Sequence, residues 1–435
     1  MALSTQPYKG SRDFYPEDKR FQKHIFGVMR SISEKYGYQE YDSPILESTE
    51  IYLDKTSDEI VNEQTYTFVD RGNRRVTIRP EMTPSVSRMV AAKRQELPYP
   101  LRWYSLPVNW RYERPQRGRL REFWQLNVDL FGIAGLEAEA EVIQVADDIM
   151  KAFGAKPNMY KIKINSRNLM DSFISDSLGM DSVQSSVLVP LIDRMHKMDF
   201  AEFSGQVEAI FTPTQREKSG PDQLFEFLKI TSIDDLPISI KNHPSVITLV
   251  NLIKRLTNAG ITNAVFDPTL MRGFNYYTDA VFEVFDTHPD NNRSMFGGGR
   301  YDGLVGAYGV EAIPTVGFGM GDVTIYNFLE SHGLTPTVKT ETDVCAIIIG
   351  DTLEPALKII SELREMGLNV AVASTEQKID KQIKIAVKNG IKFAIFLGEK
   401  EIKNQQVLLK NLENSTEEIV SSQRAVSIIK DFRIK

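Results

Sequence analysis

One cysteine, five histidines and three tryptophans are all that the 435 residues hold of those types. The lone thiol, Cys345, excludes an intramolecular disulfide framework, and its place in the apolar run Val344–Ile349 reads as core rather than nucleophile. The histidines, at 24, 196, 243, 288 and 332, show no metal-ligand spacing, so no His/Cys metal site is expected. No apolar run approaches the roughly 20 residues of a membrane helix. Met1–Arg12 has no apolar core of the signal-peptide kind, and Met-Ala-Leu is not a myristoylation start. The expectation is a cytoplasmic chain with no membrane attachment. A Walker A lysine turn is missing, and Gly317-x-Gly-x-Gly321 lacks the dinucleotide-binding spacing. With 52 Lys and Arg against 58 Asp and Glu, the net charge of −6 gives no support to a uniformly basic nucleic-acid binder. Local basic patches remain open to it.

What is present divides the chain. Its length calls for two or three domains. Apolar residues Phe21, Ile25, Val28, Met29 and Ile32 recur at helical spacing over Phe21–Tyr36, and Gly37 ends the run. Strand-like runs follow at Tyr38–Ile45, Thr65–Val69, Arg75–Ile78, Leu101–Tyr112 and Glu122–Phe131, then a long helix over Glu137–Phe153. Helical patterns without a chemical motif fill about 171–260, which reads as an inserted helical subdomain. Strand signals return at Val265–Phe266 and Tyr276–Phe285, and the glycine clusters at 297–299 and 317–321 follow. Beyond a polar linker over 331–342, strands at Val344–Ile349, Asn369–Val372 and Phe393–Leu397 alternate with helices, a small α/β domain with a mainly parallel sheet.

The chemistry concentrates between Arg111 and Asp129. At a period of two, Arg121, Phe123, Gln125, Asn127 and Asp129 share one face, while Trp124, Leu126, Val128 and Leu130 share the other. Asn109, Arg111 and Glu113 form a matching row on the preceding strand, and Pro115 and Gly118 mark a hairpin loop. Five arginines fall between positions 111 and 121. The bland alternative is a solvated sheet face. Paired guanidinium and carboxylate groups beside an aromatic ring favour a phosphate-binding row with a stacking surface for a base.

The stretch Trp110-Arg-Tyr-Glu-Arg-Pro-Gln-Arg-Gly-Arg-Leu-Arg-Glu-Phe-Trp-Gln125 resembles motif 2 of class II aminoacyl-tRNA synthetases, in its histidyl form. Tyr8-Lys-Gly-Ser-Arg-Asp13 resembles that family's opening, Tyr36–Leu46 its motif 1, and Arg79-Pro-Glu-Met-Thr83 its histidine-contacting turn. Arg272-Gly-Phe-Asn-Tyr-Tyr-Thr278 resembles the signature of histidyl enzymes, and Gly297-Gly-Gly-Arg-Tyr-Asp-Gly303 the turn that follows it.

The resemblance implies an α+β catalytic domain on an antiparallel sheet over 1–330, interrupted at about 171–260, and an α/β anticodon-binding domain over 343–435. It implies activation of L-histidine with ATP and Mg2+, transfer to tRNA(His), and a homodimer formed through motif 1. Arg111 and Arg272 would be the catalytic cations at the α-phosphate, Arg272 standing where related enzymes hold a metal. Glu113 would face the adenine amino group, Phe123 stack on the ring, and Arg119 reach the outer phosphates. Glu81, Thr83, Gln125, Asp129, Tyr276 and Tyr277 would surround the histidine. Lys381, Lys384 and Lys388 share one helix face opposite Ile379, Ile383 and Ala386, either a solvated stripe or a contact for tRNA phosphates.

Two positions depart from the family pattern. Asp322-Val323 stands where motif 3 usually has Glu-Arg, and Asn275 where an aspartate is commoner. The first leaves open which cation completes the triphosphate site. It also keeps two rivals in view, a histidine-sensing regulatory paralogue and a tRNA-binding adaptor without chemistry.

Overall fold

The computed structural model describes residues 3–53, 64–271 and 276–434. The chain forms two compact units, one of residues 1–13 and 22–335, the other of 14–21 and 336–435.

The first unit is organised by a mixed, mainly antiparallel sheet. Its strands are β1 (Gln39–Glu40), β5 (Leu101–Ser105), β6 (Val108–Trp110), β7 (Glu122–Phe131), β8 (Tyr160–Ser166), β9 (Ala264–Phe266), β10 (Ala280–Asp286), β11 (Ser294–Arg300) and β12 (Thr315–Gly321). The spatial order is β1-β5-β7-β12-β11-β10-β8-β9, with β6 also on β7. Only the two ends, β1 on β5 and β9 on β8, pair in parallel among the described residues. A small sheet of β2 (Leu46–Ser48), β4 (Arg75–Ile78) and β3 (Tyr66–Val69) adjoins.

The alternation expected on β7 is realised where it matters for the core. Leu126, Val128 and Leu130 are fully buried. The Glu137–Ala152 helix packs on β7 and β12, burying Val142, Val145, Ala146 and Ile149. Each buried valine, leucine or isoleucine here contributes about 1.5–3 kcal/mol, so this one seam fixes the plane of β7. The expected strand Leu101–Tyr112 is broken in two. Pro107 lacks an N–H for the ladder, and its carbonyl instead accepts from Gln125 N at 3.1 Å. As a result β5 pairs with Asn127–Phe131 and β6 with Glu122–Trp124.

Between β8 and β9 the described backbone is helical or irregular, with helices that include Ser182–Arg194, Phe200–Ile210 and Pro244–Asn258. In the second unit β13 (Val344–Ile348) lies between β14 (Val370–Val372) and β15 (Phe393–Leu397), all parallel. Two strands that the sequence reading did not anticipate, β16 (Gln406–Asn411) and β17 (Glu417–Ser421), extend this sheet antiparallel. Polar residues interrupt both runs, which masks their period. Cys345 is buried on β13, and burial pushes its thiol up, as a core cysteine requires.

Candidate functional site

A cleft of about 1150 Å³ opens on the face of the first unit's sheet where β7, β10, β11 and β12 lie side by side. Along its floor run Phe123, Gln125, Asn127 and Asp129 of β7. At about 3.3 Å per residue, Phe123 and Asp129 stand roughly 20 Å apart, room for a nucleotide and an amino acid end to end.

One end is made by the hairpin loop between β6 and β7. Arg111 continues β6, its backbone N donating to Arg121 O at 2.9 Å. Its Nε donates to the Pro80 carbonyl at 3.0 Å, and its guanidinium lies 5.4 Å from the centre of the Phe123 ring. Glu113 takes Arg119 at 3.3 Å and has Arg111 at 4.0 Å. The loop turns at Gly118, whose φ of +80° is a conformation that side chains rarely adopt, and Gln116 and Arg119 bridge across the turn. Arg121 leaves the row that strand alternation assigned to it. It precedes β7, lies 3.9 Å from the Tyr112 ring centre, and donates to Tyr8 Oη and Glu113 O, both at 3.1 Å. With the Tyr8 ring centre also at 5.7 Å, the guanidinium is held by cation–π contacts to two rings and is not among the residues that line the cleft.

The other end is a buried polar pocket. Asp129, 3% exposed, accepts from Tyr301 on one oxygen and from Tyr41 at 3.4 Å on the other. Burial pushes its carboxyl up to about 7, while the two hydroxyls pull it back. Burial and the neighbouring Asp129 together raise the Tyr301 phenol well above its ordinary value, so it stays a donor. Tyr276 donates to Glu81 at 3.2 Å, and its ring lies 5.7 Å from that of Tyr301. Tyr277 is buried against Leu270, Val281 and Leu304 yet still lines the cleft, so both tyrosines reach it from the turn before β10. Thr83 completes this wall at the start of its helix.

The turn that carries Glu81 is held by Arg79, itself 3% exposed. Its guanidinium donates to the carbonyls of Ser43 at 2.8 Å and Val108 at 3.2 Å. With Asp42 Oδ1 at 3.4 Å as well, this buried cation is scaffolding that ties the turn to the segment around Ser43 and to β6.

The glycines of β12 serve the side chains of β7. Gly317 and Gly319 face Asp129 and Asn127 in register. A Cβ on Gly319 would fall 2.8 Å from Gln125 Nε2, and one on Gly317 2.7 Å from Val128 O and into the Asp129 carboxylate. The freed space is where Gln125 and Asp129 lie.

Glu81, Thr83, Arg111, Glu113, Arg119, Phe123, Gln125, Asp129, Tyr276 and Tyr277 thus line one cleft. Arg272 and Asn275 lie outside the described residues. Lys381, Lys384 and Lys388 are exposed on the Ile379–Lys388 helix of the second unit. The opposite face buries Gln382 and Ala386, whereas Ile379, expected there, is 38% exposed at the helix's first turn.

Sequence reading missed Tyr41 and Tyr301, although Tyr301 sits inside the quoted Gly-Gly-Gly-Arg-Tyr motif. It also missed that the helical segment reaches the cleft, where Asp193, His196 and Lys197 contribute to the wall.

Asp322 begins the Asp322–Ser331 helix and is 4% exposed. It accepts from Arg12 at 2.7 Å and from Trp124 N at 3.0 Å. Burial raises its carboxyl, against the lowering pull of Arg12. Val323 lines the cleft beside it. Among the described residues no helix is long and apolar enough to cross a membrane.

A family model described as histidyl-tRNA synthetase matches residues 10–322, and one described as anticodon binding domain matches residues 343–432. A histidine–tRNA ligase of Leptospira biflexa is 41% identical over 431 residues, 99% of this chain and 98% of that protein. One from Thermoplasma volcanium is 36% identical over 96% of this chain and 97% of its own length. The crystal structure of histidyl-tRNA synthetase from Nostoc sp. PCC 7120 superposes with a TM-score of 0.81 at 26% identity, covering 99% of this chain and 100% of that one. Cleft, fold and relatives agree, and the chain belongs to the histidyl-tRNA synthetase family.

Proposed function

We propose that this chain is a histidine–tRNA ligase whose cleft on the first unit's sheet takes ATP at the hairpin end and L-histidine at the Asp129 end. The histidine carboxylate attacks the α-phosphorus of ATP, the bond to the β-phosphate breaks, and pyrophosphate leaves. The terminal ribose hydroxyl of tRNA(His) then attacks the activated carbonyl and AMP leaves. No protein nucleophile takes part, so catalysis rests on positioning and on cations placed where charge builds.

The observation that carries this reading is the placement of Arg111. The Pro80 carbonyl holds it beside Glu81, and its charge lies over Phe123. It therefore sits between an aromatic platform for adenine and a buried carboxylate pocket for the amino acid. In this reading Phe123 stacks on adenine, Glu113 accepts from its amino group, and Arg119 pairs with the outer phosphates. Glu81 and Thr83 hold the ammonium group. Gln125, Asp129, Tyr276 and Tyr277 surround the imidazole, the Asp129 anion accepting its N–H. Arg272 is assigned the face of the α-phosphate opposite Arg111.

Magnesium fits as a companion of ATP, since it takes most of its ligands from phosphate and water and few from protein. Glu283, a carboxylate in the cleft wall, would hold it, and the ion would neutralise phosphate charge.

We assign residues 1–330 to catalysis, about 171–260 to an insertion, 331–342 to a linker and 343–435 to anticodon binding. The division of the compact units between Thr335 and Pro336 falls inside the assigned linker and supports that boundary, while residues 14–21 group with the second unit. A homodimer joined through motif 1, phosphate contacts from Lys381, Lys384 and Lys388, and a cytoplasmic location complete the proposal.

Histidine-dependent exchange of pyrophosphate into ATP, run on the full chain and on Arg272→Ala, tests it. Exchange by the parent is expected, with a loss of at least 100-fold in the variant. No exchange by the parent would favour a regulatory paralogue or a tRNA adaptor, and an unaffected variant would remove Arg272 from its role.

A further inference from the structure

The motif 3 position offers no cation, because Asp322 spends its carboxylate on Arg12 and Trp124 N and the next side chain is Val323. A different arginine reaches the same end of the cleft. Arg293, half-buried just before β11, lines the cleft wall together with Arg119, Val323 and Thr324.

Its location is tied to theirs. The Arg293 Nη1 donates to the carbonyl of Arg117 in the hairpin loop. A Cβ on Gly118 would lie 3.1 Å from that same nitrogen and 3.8 Å from the Asn327 amide. Asn327 follows Val323 by four residues on one helix, so the two share a face. Thr324 Oγ1 donates to Met295 O at 2.9 Å, binding that helix to the strand that Arg293 leads into.

The loop that presents Arg293 is internally braced. Asp286, fully buried, accepts from His288 N at 2.8 Å and Asn291 Nδ2 at 2.6 Å, and pairs with His332 Nε2 at 2.8 Å. Its own N–H donates to Arg293 O at 3.0 Å and closes the loop. Among the described residues no carboxylate pairs with the Arg293 guanidinium, so most of its donors are left for a ligand.

We propose that Arg293 binds the terminal phosphates of ATP, completing with Arg119 the triphosphate site that Val323 leaves without a charge. The proposal rests on the reading that this cleft takes ATP. A fixed cation with N–H donors on a cleft wall suits phosphate oxygens, and a second guanidinium nearby raises the local preference for a polyanion.

The contrary reading makes Arg293 a strap for the hairpin loop and nothing more. A strap would disturb every ligand of that loop alike, adenine included. A phosphate contact discriminates by the number of phosphates. Equilibrium binding of ATP with magnesium, and of AMP, would be measured on the full chain, on Arg293→Met and on Arg293→Lys. Arg293→Met is expected to weaken ATP by on the order of 10- to 100-fold and to leave AMP within about twofold. Arg293→Lys, which keeps the charge, is expected to stay within several-fold of the parent for ATP. Equal losses for ATP and AMP, no loss for either, or a lysine variant as weak as the methionine one would each overturn the proposal. A parent chain that binds neither nucleotide would instead overturn the underlying reading of the cleft.

Discussion

Tyr301 donates its hydroxyl to the Asp129 carboxylate across a separation of 172 residues, closing the buried end of the cleft. Tyr41 approaches the other oxygen at 3.4 Å, so the carboxylate is held from both sides while burial opposes its charge. The balance leaves Asp129 near pH 7, where a small change in environment decides its charge.

In the proposed mechanism Asp129 must be an anion to accept the imidazole N–H. The KM for histidine in pyrophosphate exchange is therefore expected to fall as pH rises from about 6 to 8. Tyr301→Phe removes a donor that favours the anion, so its profile moves to higher pH and its KM at pH 7 rises. Because both enzymes see the same substrate, the displacement between the two profiles isolates Asp129. Superimposable profiles would rule this role out.

The same group makes stability depend on pH. Its folded value near 7 lies above the unfolded carboxylate's, so between about pH 4 and 7 the native state binds the extra proton. Stability from this group is present at low pH and is lost as pH rises through that window. Asp129→Asn should be more stable than the parent in urea at pH 8, by on the order of 2–4 kcal/mol, and the gap should close near pH 4. A gap that does not change with pH would show that Asp129 does not titrate as described.

Gly317→Ala would place a Cβ 2.7 Å from Val128 O and against the Asp129 side chain. Overpacking of this kind costs about 1–3 kcal/mol. A lowered urea midpoint together with a raised KM for histidine is expected, with the KM for ATP little altered. A variant with the parent's midpoint and KM would mean that the strand can shift to admit the methyl group.

Much of this site was legible in the chain, and what was not has physical causes. Alternation on β7 separated Gln125 and Asp129 from Leu126 and Val128, because one face of that strand must be apolar to meet the Glu137–Ala152 helix. The same periodicity misassigned Arg121, since it describes strands and Arg121 stands one residue outside one, stacked on Tyr112. Tyr41 and Tyr301 meet Asp129 only through tertiary pairing, which no local pattern encodes. Glycine spacing in β12 told against a dinucleotide site without revealing that side chains of β7 fill the space beside Gly317 and Gly319. The break at Pro107 was written in the sequence and overlooked. The three parallel strands of the second unit were readable from their apolar runs, while β16 and β17 mix Lys, Asn and Glu into theirs.

Asp322 joins the amino-terminal segment to β7, and its role is testable without substrate. Asp322→Ala removes the acceptor that Trp124 N uses and the carboxylate that Arg12 reaches at 2.7 Å. A cost of about 1–3 kcal/mol is expected, the lower part of that range reflecting the partial exposure of Arg12. Urea denaturation measures it, and an unchanged midpoint would reduce Asp322 to a bystander.

The exposed lysines of the second unit should act on tRNA alone. Replacing Lys381, Lys384 and Lys388 by Ala is expected to raise the KM for tRNA several-fold and to lower the salt dependence of tRNA binding by about 2 in log–log slope. Pyrophosphate exchange should be untouched. An unchanged tRNA KM would mean that the stripe is only a solvated helix face.

The most direct test of the whole account is aminoacylation by the full chain, supplied with ATP, magnesium and tRNA(His). Labelled histidine should become attached to the tRNA only when ATP is present, and no other amino acid should substitute for it. Absence of charging, or charging with a different amino acid, would contradict the assignment of the Asp129 pocket to histidine.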